Sequence, residues 1–455
     1  MRPDPVAAPP RAERAGNIAF DSPAGPCELL AMKTAIVAGC RTPFVRSGTL
    51  FADLKAIELG KLAVRDALAR SGLKGAAVDH LVYGTVVHDT QAPNIAREVG
   101  LGTLPKSVPA FTVSRACASA NQAITDAVQL IETGQAEVVI AGGSESLSHI
   151  PITVSDRLSK SLVSAARAKT FRQKLAAFAG IRPRDLLPVQ PAIAEVTTGE
   201  TMGQAAERMA KENKIGRESQ DDWALRSHRL AASATKDGRL EAEIVPVYVP
   251  PDYETVVVND NGIRTDTTLE KLGMLPPVFD RKHGSVTAGN SSPLTDGASA
   301  LVLMHEARAR AEGIRPLGFV RSWAWTALDP AAQLLQGPAY AAPLALDRAG
   351  LSMKDIGLME MHEAFAAQVL SNLQALASRD FATKELGRSQ AVGHPDPDRI
   401  NVMGGSIAIG HPFGATGGRL TLTILNEMAR RDLQFGLVTV CAAGGLGFAM
   451  VLERR

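Results

Sequence analysis

Cysteine is scarce in this chain, with four in 455 residues: Cys27, Cys40, Cys117 and Cys441. None of the spacings is close enough for a disulfide scaffold or a zinc site, so both are set aside. Free thiols point to a reducing cytoplasm and remain available for chemistry. Aromatic residues are few, at 4%. An excess of one charge is also lacking, since 49 Lys and Arg face 47 Asp and Glu for a net charge of +2. That balance argues against a nucleic-acid partner. No apolar run reaches the roughly 18 residues that a transmembrane helix needs. What is present is 45% hydrophobic and 21% charged residues, the composition of a soluble globular protein. The length suggests two or three domains.

Residues 1–31 stand apart, being rich in Pro, Ala and Arg and without periodicity. They contain no continuous apolar core of a signal peptide, and Asp4, Glu13 and Asp21 do not suit a mitochondrial transit peptide. They are expected to be a disordered extension, or the product of a misplaced start codon before Met32.

From Lys33 onward, β-rich runs alternate with helical spacing. Lys33-Thr-Ala-Ile-Val-Ala, Asp79-His-Leu-Val-Tyr-Gly and Glu137-Val-Val-Ile-Ala-Gly-Gly read as strands. Leu54 to Ser71, ending at Gly72, and Asn121 to Thr133 read as helices. The alternation implies an α/β fold. The same order returns later in the chain. Ala67-Leu-Ala-Arg-Ser-Gly-Leu is echoed by Ala345-Leu-Asp-Arg-Ala-Gly-Leu, and Val138-Val-Ile-Ala-Gly-Gly by Leu437-Val-Thr-Val-Cys-Ala-Ala-Gly-Gly. Cys117-Ala-Ser-Ala and Gly414-Ala-Thr-Gly each open a helix. These echoes imply a duplicated α/β unit whose two halves meet about a pseudo-two-fold axis, with active-site loops at the junction.

The expected organisation is an N-terminal half of residues 32–146 plus about 285–305, an inserted domain of 147–284, and a C-terminal half of 306–455. The insertion begins with a basic stretch containing Arg157, Lys160, Arg167, Lys169, Arg172, Lys174, Arg182 and Arg184. Leu158, Leu162, Ala165, Ala168, Phe171, Leu175 and Phe178 follow i, i+3, i+4 spacing, the pattern of one basic amphipathic helix. It either docks on its own domain, binds a membrane surface or partner, or forms a basic wall for phosphates.

Four residues draw attention as chemical groups. Cys117 precedes an apolar helix, and the positive end of a helix dipole lowers a thiol pKa. His411 sits in the Gly-rich loop Gly404-Gly-Ser-Ile-Ala-Ile-Gly-His-Pro-Phe-Gly-Ala-Thr-Gly and is a natural partner for activating a thiol. Cys441 follows a buried strand beside a glycine turn whose N–H groups suit an oxyanion hole. His362, in Glu360-Met-His-Glu-Ala-Phe-Ala-Ala, lies at a strand-to-helix junction, where α/β folds place ligand contacts. It lacks the second histidine of a zincin, so no metal is expected. His283 is a further candidate for the cavity. Taken alone, each has a plainer explanation: a buried structural cysteine, a phosphate-binding turn, a core histidine.

Together the segments resemble the thiolase family. The matching segments are Cys117-Ala-Ser, Gly142-Gly-Ser-Glu-Ser-Leu-Ser, Gly284-Ser-Val-Thr-Ala-Gly-Asn-Ser-Ser, His362-Glu-Ala-Phe-Ala, Gly410-His-Pro-Phe-Gly-Ala-Thr-Gly and Cys441-Ala-Ala-Gly-Gly-Leu-Gly, in family order. His362 stands where most thiolases have Asn, and Ala443 where most have Gly. Both departures are similar to the β-subunit of the trifunctional fatty-acid-oxidation complex and its bacterial counterparts, as is the basic insertion.

The resemblance implies duplicated halves in a layered α-β-α-β-α core and a 3-ketoacyl-CoA thiolase acting on medium or long chains. No cofactor is held permanently, and CoA or acetyl-CoA is a substrate. It implies Cys117 as nucleophile, His411 as general base and Cys441 as general acid and base. His362 and His411 line one oxyanion hole, with a water where geometry needs it, and the N–H groups of Cys117 and Ala443 line the other. Ser292 meets the CoA pantetheine, in a loop that Pro293 reshapes. Partners follow from the same resemblance: a second copy at least, an α-subunit with hydratase and dehydrogenase activities, and peripheral contact with a membrane. The rival readings are a short-chain acetyl-CoA acetyltransferase handling acetoacetyl-CoA and a non-catalytic scaffold of a β-oxidation assembly. A ketoacyl-ACP synthase would carry a histidine in place of Cys441.

Overall fold

The computed structural model describes residues 34–189 and 194–455. The N-terminal extension, with Cys27, lies outside them. Twelve strands are present among the described residues: β1 Thr34–Arg41, β2 Val45–Arg46, β3 His80–Gly84, β4 Ala110–Val113, β5 Val138–Glu145, β6 Val247–Tyr248, β7 Val256–Val257, β8 Thr295–His305, β9 Gly318–Ala327, β10 Leu358–Met361, β11 Phe435–Ala442 and β12 Leu446–Glu453. Most are short apolar runs buried on both faces, as strands covered by helices on each side must be.

The pairing order is β10-β11-β12-β9-β1-β8-β5-β3-β4, with β2 beside β8 and β6 paired to β7 alone. The two ends of this order repeat each other. β3 runs parallel to β5, which is antiparallel to β8, which is antiparallel to β1. In the second half β10 runs parallel to β11, which is antiparallel to β12, which is antiparallel to β9. The halves join where β1 and β9 pair antiparallel at Ala35–Phe319 and Ile36–Gly318. Equivalent strands meeting antiparallel are what a two-fold relation between copies produces. The echoed Ala-Leu segments also end alike: the helices Ala56–Ser71 and Gly337–Ala349 both stop at a left-handed glycine, Gly72 and Gly350.

Those two helices cover the outer faces, the first against β1 and β8, the second against β9 and β12. Between the two halves of the sheet lie the helices Ser119–Glu132, packed on strands of the first half, and Thr416–Arg430, packed on strands of both, and the two helices touch each other. The result is a layered α-β-α-β-α core. The two middle helices approach closely at a glycine, since a Cβ on Gly417 would lie 2.1 Å from Asn121 Oδ1. A Cβ on Gly143, in β5, would lie 2.0 Å from the carbonyl oxygen of Gly414, so only glycine lets the end of β5 meet the loop that carries His411.

The insertion between β5 and β8 is tied to the core by a buried ion pair. Arg41 of β1 holds Asp260 through two hydrogen bonds, at 2.6 and 2.8 Å, and reaches Glu243 at 3.4 Å. The basic segment differs from the single helix expected. It forms two helices, Asp156–Arg167 and Phe171–Ala176, separated at Ala168. The break is local chemistry: Thr170 accepts from Gln173 N while the Gln173 side chain accepts from Thr170 N, a capping box that restarts the helix. No residue of either helix is buried, and Phe171 is 75% exposed, so the segment does not dock its apolar face on its own domain.

Candidate active site

Cys117 sits on a strained turn between β4 and the helix Ser119–Glu132. Ala116 just before it has φ 46°, a left-handed conformation that costs a residue with a Cβ about 1–2 kcal/mol. Ser119 holds the turn by accepting from Arg115 N at 2.8 Å and donating to Ala116 O at 2.7 Å. The Arg115 guanidinium stacks 4.1 Å over the Trp325 ring of the other half. The Cys117 thiol is thus held by a turn pinned from both sides.

His362 follows β10, and its backbone N–H donates to Thr439 O of β11 at 2.9 Å. His411 lies between the short helix Ser406–Ile409 and the helix Thr416–Arg430. Its ring centroid is 4.0 Å from that of His362. Sγ of Cys117 and one ring nitrogen of each histidine lie within 4.8 Å of one another. Nδ1 of His362 is 2.9 Å from Ser406 Oγ, and Nδ1 of His411 is 2.7 Å from Thr416 Oγ1. Among the described residues, Nε2 of both rings is buried and has no hydrogen-bond partner.

Cys441 lies within the last residues of β11 rather than after it. Its thiol is pushed well up by burial and by the nearby Cys117 sulfur. The turn that follows needs glycine, since Gly444 and Gly445 have φ of 83° and 69°. Gly444 N donates to Glu195 of the insertion at 2.6 Å. The N–H groups of Ala443 and of Cys117 itself point at the Cys117 sulfur.

Ser292 lies beside this centre. Its N–H donates to Ala364 O at 3.0 Å, and Leu294 bridges to His411. His283 does not belong to it: it is exposed in a turn where its N–H bonds to Asp280.

The thiol of Cys117 behaves differently from the lowered pKa expected of it. Burial pushes it up to about 11, and the two backbone N–H groups offset only part of that. The helix dipole loses because Cys117 stands two residues before the first turn and is ringed by protein, although it stays partly accessible. Burial, followed by the charge of Arg419, lowers His411 to about 3. Burial, His411 and Arg419 hold His362 well below the usual histidine range. At neutral pH the resting centre is therefore a thiol between two neutral imidazoles.

Residues that the motifs did not single out hold this centre. Glu145, at the end of β5, accepts from Val86 N, Val87 N and Gly414 N, each at 3.0 Å, and from the Thr85 hydroxyl at 3.2 Å. Glu363 accepts from Trp223 Nε1, Ser227 Oγ, Asn401 Nδ2 and Ile407 N. Both glutamates lie inside the motifs named above, where an acid among small and apolar neighbours was the available signal. Against Ala443 lies an apolar cavity of about 360 Å³, lined also by Val86, Val87, Leu147, Ile150, Met202 and Phe413.

A thiol, a base, a second acid and converging N–H donors beside an apolar cavity suit acyl transfer through a thioester. Comparison with known proteins points the same way. The family model described as "Thiolase, N-terminal domain" matches residues 34–307, and "Thiolase, C-terminal domain" matches 314–454. The chain is 51% identical over 422 residues to a protein named 3-ketoacyl-CoA thiolase from Yersinia pestis (strain Pestoides F), covering 92% of this chain and 97% of the relative. A Yersinia pseudotuberculosis protein of the same name matches equally. Among solved structures, human mitochondrial 3-ketoacyl-CoA thiolase in complex with CoA superposes with a TM-score of 0.79 at 31% identity, covering 93% of this chain and 99% of that one. Bacillus anthracis acetyl-CoA acetyltransferase gives 0.78 at 32%, with the same coverage.

A thiol held up to about 11 stays protonated through neutrality. Alkylation of Cys117 by iodoacetamide is therefore expected to keep accelerating from about pH 7 to about pH 10, because only the thiolate reacts. A rate already on its plateau at neutral pH would show a resting thiolate–imidazolium pair instead.

Proposed function

The chain belongs to the thiolase family and is an acyltransferase, a 3-ketoacyl-CoA thiolase, and from that premise we propose that it cleaves medium- and long-chain substrates in fatty-acid β-oxidation. His411 Nε2 takes the proton of Cys117, and the thiolate adds to the 3-keto carbon. The 3-keto oxygen, as it becomes negative, meets the N–H groups of Cys117 and Ala443. The C2–C3 bond breaks and leaves the acyl group on Cys117. The oxygen of the acetyl-CoA enolate meets Nε2–H groups of His362 and the now protonated His411, while the N–H groups of Cys117 and Ala443 keep the thioester oxygen for the following addition. Cys441 gives its proton to the departing acetyl-CoA enolate. It then takes the proton of the incoming CoA thiol, which attacks the thioester and frees Cys117 as a thiolate that recovers its proton from His411. Each step pairs a base with an acid already within the site, so no step needs a co-reactant beyond CoA.

The apolar cavity against Ala443 carries the chain-length reading. An acetoacetyl group would leave it empty. Each methylene placed there recovers about 0.8 kcal/mol, roughly fourfold in kcat/KM. CoA-dependent thiolysis of 3-ketohexadecanoyl-CoA is expected to exceed that of acetoacetyl-CoA by at least about tenfold in kcat/KM. A preference for acetoacetyl-CoA would make the chain a short-chain acetyl-CoA acetyltransferase and leave the chemistry intact. A folded protein that turns over neither would support the scaffold reading.

The reading extends to partners and place. We propose a reducing cytoplasm, at least a dimer, and a subunit with hydratase and dehydrogenase activities that supplies the 3-ketoacyl-CoA. The exposed segment from Asp156 to Leu187 sets Leu162, Val163, Phe171, Leu175, Leu186 and Leu187 among its basic residues, which suits an anionic lipid surface. Replacing Arg167, Lys169, Arg172 and Lys174 with Gln is expected to weaken binding to phosphatidylglycerol vesicles by at least about tenfold. Soluble-substrate turnover should stay unchanged. Unaltered vesicle binding would remove the membrane from this account.

A further inference from the structure

The reaction proposed above asks opposite things of two identical side chains. His411 must present a bare Nε2 to the Cys117 thiol. His362 must present an N–H to an oxygen that becomes negative. A neutral imidazole carries one ring proton, and the partner at Nδ1 decides which nitrogen holds it. Both Nδ1 atoms face a hydroxyl, at 2.9 Å for Ser406 and 2.7 Å for Thr416. A hydroxyl has one hydrogen and two lone pairs, so its remaining partner determines the answer.

The remaining partners differ in kind. Ser406 Oγ accepts from Nη2 of Arg419 at 3.2 Å. A guanidinium has no lone pair to offer, so it cannot take the Ser406 hydrogen. Among the described residues the only acceptor facing that hydrogen is Nδ1 of His362. Ser406 is fully buried, and leaving its O–H unpaired there is unfavourable. The serine therefore donates to Nδ1, and the ring proton of His362 sits on Nε2. Thr416 has an acceptor instead: its hydroxyl donates to the Pro412 carbonyl at 3.0 Å. Its lone pair then receives Nδ1–H of His411, an arrangement that makes one hydrogen bond more than the reverse. Nε2 of His411 is left bare.

We infer that Arg419 and Ser406 are positioning residues that lock His362 in the Nε2–H tautomer, opposite to the tautomer that Thr416 and Pro412 impose on His411. The relay is rigid at both ends. Arg419 is fully buried and its Nη1 is fixed by Glu360 at 3.0 Å. Ser406 opens the helix Ser406–Ile409, which Glu363 pins through Ile407 N. One cavity thus holds a ready base and a ready donor, with both Nε2 atoms directed at the same place. The tautomers follow from the hydrogen bonds alone; only their catalytic consequence rests on the thiolase reading.

Two measurements on the full-length enzyme test this. With 15N-labelled histidine, NMR at neutral pH should show His362 protonated at Nε2 and His411 at Nδ1. Ser406→Ala should erode the Nε2–H signature of His362 and leave that of His411. The same variant should lower kcat for thiolysis by at least about tenfold, within the about 10²–10³ that loss of one oxyanion donor costs, with KM little changed. His362→Asn removes the tautomer question, so adding Ser406→Ala to it should cost less than about twofold more. An equal loss in both backgrounds would make Ser406 merely structural and overturn the inference. So would an Nδ1–H signature on His362 in the unaltered enzyme. The expected tautomers in a protein without thiolysis would uphold the relay and refute the proposed function instead.

Discussion

Buried loop ends must satisfy their backbone N–H groups, and here that requirement decides where the chemistry sits. The loops after β3, β5 and β10 and the loop carrying His411 converge in a region largely shut off from solvent. Two carboxylates serve them. Glu145 of the first half reaches across to Gly414 of the second while holding Val86 and Val87 at the cavity wall. Burial pushes it up to about 7, yet four donors aim at it, so its value lies in the geometry it imposes. Glu363 binds the loop of His362 to the insertion through Trp223 and Ser227, and to the helix of Ser406 through Ile407. Displacing either carboxylate would leave several buried donors without partners. The two halves and the insertion are therefore held in register around Cys117, His362 and His411.

The same burial sets how readily the Cys117 thiol ionises. Charge on Cys117 is disfavoured at rest, and its own N–H and that of Ala443 restore only part of the loss. In the mechanism proposed above, the thiolate forms only as His411 takes its proton, beside donors already oriented for negative charge. The strained turn at Ala116 fits this arrangement, because strain persists only where surrounding bonds fix it, and Ser119 supplies two of them. Neutral imidazoles are a further consequence of burial. They allow one ring to accept and the other to donate, which two charged rings would not do.

Much of this was legible in the sequence. The echoes Ala67-Leu-Ala and Ala345-Leu-Asp marked equivalent helices because a glycine cap and an outward-packing helix leave a local signature. Cys117, His411, Cys441 and His362 stood out because glycine-rich loops around reactive side chains are local too. What stayed hidden depends on contacts distant in the chain. Glu145 meets Gly414 across 269 positions, a pairing no local pattern encodes. Ser406 and Thr416 look like ordinary polar residues until their second partners are known. The Cys117 pKa went the other way from expectation because a dipole argument sees one helix, whereas desolvation sums over everything packed around the thiol. The basic segment was read as one helix because its apolar spacing runs unbroken past Thr170, whose capping box interrupts the backbone without disturbing the pattern.

The central claim is that an acyl group passes through Cys117. It is tested most directly by mixing the enzyme with 3-ketohexadecanoyl-CoA in the absence of free CoA, quenching in acid, and locating the adduct by mass spectrometry of the digested protein. A shortened acyl group as a thioester on the peptide containing Cys117, discharged when CoA is added before the quench, is the predicted result. An acyl group on Cys441 alone, or cleavage of the substrate with no covalent adduct at any stage, would contradict the account.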